Sequence, residues 1–199
     1  FVDSGEKNNV VDEKYPYTTS DGAIITLHKS YKDNPYFEIN HLNDNKEKIA
    51  VQDIVDDDYF SYNNGKIIYA SYKPDARWGN KEFSEIRLID IKTKREKKIS
   101  FQTRFFSPDI SHDGKTIVAV EQEINGNSKL VLLDGDWNII NTLKDIAAHI
   151  FSYPKFSADD KYVYVCDRNA AGEMSILKKA IDGGSFKQII PNILSYLRV

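Results

Sequence analysis

Hydrophobic and polar residues alternate along this chain in short runs, and clusters of turn formers break the runs apart. In the stretch Glu85-Ile86-Arg87-Leu88 the apolar positions fall every second residue. A period of two predicts a strand with one buried face and one wetter face. Such runs recur behind one type of polar turn. Thr19-Ser20-Asp21-Gly22 precedes Ala23-Ile24-Ile25, and Tyr62-Asn63-Asn64-Gly65 precedes Lys66-Ile67-Ile68-Tyr69. Ser111-His112-Asp113-Gly114 precedes Lys115-Thr116-Ile117-Val118, and Ser157-Ala158-Asp159-Asp160 precedes Lys161-Tyr162-Val163-Tyr164. The turn positions 22, 65, 114 and 160 lie 43, 49 and 46 residues apart. A period of roughly 40–50 residues with several strands in each unit predicts an all-β chain, a β-propeller of four-stranded antiparallel blades.

Each unit divides into four strands. In the third, strands are predicted over 104–110, 116–123, 129–134 and 138–143, with hairpin signals at Asn125-Gly126 and Gly135-Asp136. The fourth unit predicts 150–156, 162–167, 174–179 and 186–190. The second predicts 58–62, 66–72, 85–91 and 96–100, and the first 15–18, 23–29, 36–42 and 48–51. Helical signal is confined to a short stretch, Asp145–His149. The repeat units span about 10–51, 52–100, 101–145 and 146–190, and 191–199 reads as the first strand of a fifth. The expectation is one propeller domain over 1–199, with about four blades present. A single blade cannot bury both faces of its sheet alone.

Composition narrows the function classes. Hydrophobic residues make up 41% of the 199, enough for a packed core, and the aromatics are mainly Tyr and Phe, which suit half-buried strands. A net charge of -3 gives no general attraction to nucleic acid or to an anionic membrane surface. No apolar run reaches the length of a membrane helix. The one cysteine, Cys166, has no partner for an internal disulfide and sits in the apolar run Tyr162–Cys166, which reads as a buried core thiol.

The repeated phrase also resembles a known family. Phe106-Ser107-Pro108-Asp109-Ile110-Ser111-His112-Asp113-Gly114-Lys115-Thr116-Ile117 is similar to the repeat of the TolB-like, WD40-like (PD40) bacterial propellers. Pro154 to Val163 is a second copy, with Asp160 where glycine is usual, and the copies at 62–65 and 19–22 are looser. The resemblance implies rings of six or more blades, so this chain is expected to form part of a larger ring. It also implies a bacterial envelope protein, periplasmic or secreted, whose partner is a protein, a peptide or an envelope component. It says little about activity, because propellers host many unrelated functions. The Asp-Gly pair suits the positive backbone angle of a tight turn, and Pro108 suits a strand start or edge, so the phrase reads as scaffold.

Catalytic phrases are scarce. The sequence has no Gly-x-Ser-x-Gly elbow, no His-Glu-x-x-His helix, no paired cysteines and no glycine-rich phosphate loop. His28, His41, His112 and His149 are scattered without ligand-like spacing, and no metal or cofactor is expected. Asp56-Asp57-Asp58 lacks the alternating pattern of a calcium loop and reads as a solvated turn. The sharpest candidate is the long hairpin of the second unit, with Tyr72, Arg77 and Trp78, joined by Arg104 at the start of the third unit. Loops on rigid scaffolds carry binding, and Trp, Tyr and Arg are favoured in binding hot spots. Packing of Trp78 over a blade edge is the competing reading for that loop. Two functions follow. One is a non-catalytic binding module, which the lack of catalytic phrases favours. The other is an accessory propeller of a larger hydrolase, a serine peptidase or metallopeptidase. A propeller with its own glycoside-cleaving acid pair needs two carboxylates that nothing in the sequence singles out.

Overall fold

The computed structural model describes residues 12–43, 45–55, 58–74, 82–100, 103–134, 136, 138–143 and 149–191. They form sixteen strands in four antiparallel four-stranded sheets, and no helix occurs among the described residues. The first sheet holds β1 (Asp12–Thr18), β2 (Ile24–Lys29), β3 (Tyr36–Asn40) and β4 (Lys46–Val51). The second holds β5 (Phe60–Asn63), β6 (Lys66–Pro74), β7 (Glu82–Asp90) and β8 (Arg95–Lys98). The third holds β9 (Phe105–Ile110), β10 (Ile117–Gln122), β11 (Ser128–Leu133) and β12 (Ile139–Leu143). The fourth holds β13 (His149–Phe156), β14 (Tyr162–Asn169), β15 (Met174–Ala180) and β16 (Gly183–Ile190). Each sheet is a simple meander in chain order. The expected strands are all found, most within two or three residues of their expected ends. The stretches 145–148 and 192–199, where a helical turn and a fifth unit were expected, lie outside the described residues.

The chain divides into two compact units, Phe1–Asp58 and Tyr59–Val199. In the first, Ile25, Leu27, Phe37, Ile39 and Ile49 are buried. The second contains three sheets stacked face to face. Ile117 and Ala119 pack toward Ile68, Ile86 and Leu88 of the second sheet, while Val118 and Val120 pack toward Val163, Val165 and Leu177 of the fourth. The middle sheet is therefore buried on both faces. This is the physical reason its strands read as the unbroken apolar runs Ile117–Val120 and Leu130–Leu133 rather than as alternation. Alternation survives on β14, where Val163, Val165 and Asp167 are buried and Tyr162, Tyr164 and Cys166 are half-buried. Cys166 thus sits on the less covered face, which corrects its reading as a core thiol. Burial still pushes the thiol pKa up.

The expected wetter face of β7 also differs from open water. Glu85 is buried, and its carboxylate is paired with Lys98 and with Arg87 at 3.1 Å. Arg87 in turn reaches Glu96 at 3.2 Å.

Proline has a sharper role than a strand start. Pro16, Pro108 and Pro154 each follow a residue with positive φ, namely Tyr15 (53°), Ser107 (46°) and Tyr153 (50°). At each of the three the ladder of the first strand shifts register. These are β-bulges, where a residue without an N–H leaves no ladder bond unmade. The second sheet has no proline here, and β5 pairs with β6 without a shift.

The turn phrase is a staple built twice in the same way. Ser111 Oγ donates to Asp113 Oδ1 at 2.7 Å, while the N–H groups of Thr116 and Lys115 donate to Ser111 Oγ and Asp113 Oδ1, both at 2.9 Å. Ser157 and Asp159 repeat the arrangement with Tyr162 and Lys161. The serine and backbone donors hold both aspartates below the usual carboxylate range. Successive turns of the second unit also grip each other. Asn64 Nδ2 donates to the Asp113 carbonyl at 2.8 Å and Lys66 Nζ to the Gly114 carbonyl at 2.7 Å. The departure at Asp160 serves the same purpose. It takes the left-handed angle of the missing glycine (φ 54°), and its carboxylate accepts the His112 N–H at 2.9 Å and faces His112 Nδ1 at 2.8 Å.

Candidate binding surface

The turn phrases close one end of the sheets, so the other end is left to the β6–β7, β10–β11 and β14–β15 loops and to the connections between sheets. In the second unit this end is stitched by short polar side chains. The Ser84 N–H donates to the Thr103 carbonyl at 2.8 Å, and Ser84 Oγ donates to the Phe105 carbonyl at 2.6 Å. Thr103 Oγ1 returns a bond to the Ser84 carbonyl at 2.8 Å. The connection from the second sheet into β9 is thereby fixed to the start of β7. Tyr72, on β6, pairs with Ser84 across the ladder, so it stands beside this seam.

Arg104 follows directly. Its carbonyl accepts the Gln122 N–H at 3.0 Å, and its Nη2 reaches Gln122 Oε1 at 3.4 Å. Its Nε is buried and has no hydrogen-bond partner. The guanidinium is half-buried, and its Nη groups keep donor capacity at the loop end that fits a carboxylate or a main-chain carbonyl. Tyr72 and Arg104 are thus brought to the same end of the sheets through Ser84 and Thr103. Arg77 and Trp78 lie outside the described residues, in the loop that joins β6 to β7.

Sequence reasoning missed a second polar cluster at this end. Ser128 Oγ donates to the His149 carbonyl at 3.2 Å and accepts the Phe151 N–H at 2.5 Å, joining β11 to β13. His149 Nδ1 faces Asp167 Oδ1 at 2.7 Å, and Ser175 Oγ donates to Asp167 Oδ2 at 3.4 Å. The three side chains do not form a catalytic relay, because the serine bonds the aspartate rather than the imidazole. The missed signal was periodicity. Asp167 and Ser175 fall in step with Val163, Val165 and Leu177, on the buried face, where polar groups need partners.

Asp58 is held by two lysines, with Lys29 Nζ at 2.5 Å and Lys14 Nζ at 2.9 Å. Burial raises its carboxyl pKa, but the two lysines more than reverse this and leave it below the ordinary value. No group of three or more acidic, histidine or cysteine side chains suited to a metal occurs among the described residues.

The fold of these sheets is that of a β-propeller. The chain is similar in structure to TolB from Acinetobacter baumannii, with a TM-score of 0.67 and 15% identity over 91% of this chain and 44% of that one. It is similar to a putative TolB from Agrobacterium tumefaciens (TM-score 0.64, 14% identity, 86% of this chain and 62% of that one). It is also similar to the β-propeller domain of the Trilobed protease from Pyrococcus furiosus (TM-score 0.54, 14% identity, 92% of this chain and 58% of that one). The chain therefore spans less than two thirds of the length of each of these chains. No protein-family model and no curated protein matches the sequence.

Proposed function

We propose that this chain is a non-catalytic binding module that engages a protein or peptide in the bacterial cell envelope, periplasmic or secreted. The contact surface is the loop end of the second unit, made by Tyr72, Arg77, Trp78 and Arg104. The observation that carries this reading is Arg104, whose half-buried guanidinium makes a long bond to Gln122 Oε1 at 3.4 Å, at an end of the sheets where the neighbouring seam groups are closely bonded. A partner carboxylate or carbonyl fits the Nη donors of that guanidinium. The TolB likeness supports the envelope setting. The test is selection of binders from a displayed random-peptide library, followed by affinity measurement on variants. Arg104→Ala and Trp78→Ala are expected to weaken the selected peptide at least about tenfold, the loss of one good interaction. Unchanged affinity in both variants removes this surface from consideration.

The likeness to a protease propeller favours a second reading, an accessory propeller of a larger hydrolase. Propellers in that role hold or gate substrate while catalysis sits in another domain. The coding sequence on either side of these residues separates the two readings, since a Gly-x-Ser-x-Gly or His-Glu-x-x-His phrase there decides for the hydrolase.

A further inference from the structure

The sequence holds two Asn-Gly pairs, Asn64-Gly65 and Asn125-Gly126, and each lies in a hairpin with its asparagine exposed. Glycine has no side chain to crowd its backbone nitrogen, so that nitrogen can reach the carboxamide carbon of the asparagine before it. The fold treats the two pairs differently. The Asn64 side chain is committed to another sheet. Its Nδ2 donates to the Asp113 carbonyl at 2.8 Å, and the side chain lies against Gly114. The flanks of this turn are also held, by Lys66 Nζ on the Gly114 carbonyl at 2.7 Å and by the Ile91 N–H on the Gly65 carbonyl at 3.0 Å. Asn125 bonds only within its own loop. Its Oδ1 accepts the Asn127 N–H at 2.9 Å, and its Nδ2 reaches Glu123 Oε2 at 3.4 Å. The first bond folds the carboxamide back along the Gly126 peptide and polarises its carbonyl. The Gly126 N–H donates to the Glu123 carbonyl at 3.1 Å, and nothing lies within 4 Å of where a Gly126 Cβ would stand. An exposed turn held by such bonds opens at little cost.

We propose that Asn125 is a site of spontaneous deamidation in the folded chain, and that the fold protects Asn64. The reaction needs only water. The Gly126 nitrogen loses its proton to solvent and attacks Asn125 Cγ. The bond from that nitrogen to Cγ forms, the Cγ–Nδ2 bond breaks, and Nδ2 leaves as ammonia after gaining one proton from solvent. Water then opens the cyclic imide at either carbonyl and leaves aspartate or isoaspartate. Nothing is oxidised or reduced. The product carries a negative charge where the carboxamide had donated to Glu123, so two carboxylates face each other in the loop. Isoaspartate also adds a carbon to the main chain of the β10–β11 hairpin. Asn64 follows the same route only after its bond to the Asp113 carbonyl is broken. The site stands on the hairpin alone and does not depend on the surface around Arg104.

The test incubates the whole chain at mildly alkaline pH in water enriched in heavy oxygen, with and without guanidinium chloride. Both sites are then followed by peptide mapping in ordinary water, with isoaspartate resolved from aspartate. The heavy-oxygen label separates conversion during incubation from conversion during digestion. Without denaturant, Asn125 is expected to convert at least about tenfold faster than Asn64, the factor imposed by first breaking a hydrogen bond of the Asn64 kind. In denaturant the two rates are expected to agree within about threefold, because the difference belongs to the fold and not to the dipeptide. Labelled isoaspartate is expected beside labelled aspartate at Asn125, as the imide route requires. The proposal is overturned if Asn64 of the folded chain converts as fast as Asn125, or if Asn125 stays intact in the folded chain while both sites convert in denaturant. It is also overturned if the preference for Asn125 persists in denaturant, or if the product is aspartate alone.

Discussion

Asp109 is the side chain whose loss should most disturb the second unit. Ser61, Asp109 and Lys155 occupy the same position on three successive first strands, opposite Ile68, Val118 and Tyr164. The Asp109 carboxylate is 4% exposed. It accepts the Phe156 N–H at 2.8 Å, Lys155 Nζ at 2.9 Å and the Ser61 hydroxyl. Asp109→Ala strands the Phe156 N–H without an acceptor, at about 1–3 kcal/mol, and removes the Ser61 bond, at about 1 kcal/mol. The Lys155 share is small, about 0–1 kcal/mol, because that side chain is 41% exposed and returns to water. The total is about 3 kcal/mol. Asp109→Asn keeps an acceptor for Phe156 and should cost about 1–2 kcal/mol. Urea unfolding followed by circular dichroism measures both, at an unchanged denaturant slope. A combined Asp109→Asn, Lys155→Met variant should lose less than the two single changes together, by about 1 kcal/mol. If Asp109→Ala lies within about 0.5 kcal/mol of the unaltered chain, or if the double variant is strictly additive, the three residues are not a linked clamp and the reasoning fails.

Other changes test neighbouring parts of the structure. Gly114→Ala puts a Cβ 2.9 Å from Asn64 Nδ2 at φ +69°, whereas Gly126→Ala meets nothing within 4 Å at φ +87°. Both should cost about 1–2 kcal/mol for the left-handed angle, and Gly114→Ala measurably more in the same unfolding experiment. Asp58 titrates below the ordinary carboxyl value of 3.8 when folded, so its contribution is present above that value and lost as pH falls through the lower, folded one. Acid unfolding of the Phe1–Asp58 unit should therefore begin below about pH 4, and Asp58→Asn should flatten that dependence while lowering stability at neutral pH. Asp160→Gly, which restores the usual turn residue, should relax the backbone angle yet release His112, and the His112 imidazole resonances should shift in the NMR spectrum.

The sheets were legible because their turns are chemically distinctive. Asn64-Gly65 closes a two-residue hairpin between Asn63 and Lys66, with both turn residues at positive φ, as that dipeptide demands. Asn125-Gly126 misled in detail. Its hairpin spans five residues, since Gln122 pairs with Ser128, although Gly126 still takes the positive angle. The bulges were hidden because a proline inside a first strand and one at a strand start look alike in sequence. Of the proposed surface, Tyr72 and Arg104 were visible as residue types, but the Ser84–Thr103 seam that brings them together depends on a fold-back that no local pattern encodes.

The division of the second unit into a scaffold end at the turn phrases and a contact surface at the opposite end is tested most directly by hydrogen exchange. A peptide selected from the displayed library would be added to the whole chain and exchange followed by mass spectrometry. Slowed exchange is expected across 72–84, 103–105 and 122–128, with the turns at 111–116 and 157–162 unchanged. Protection confined to those turns, with the loop end unaffected, would contradict it.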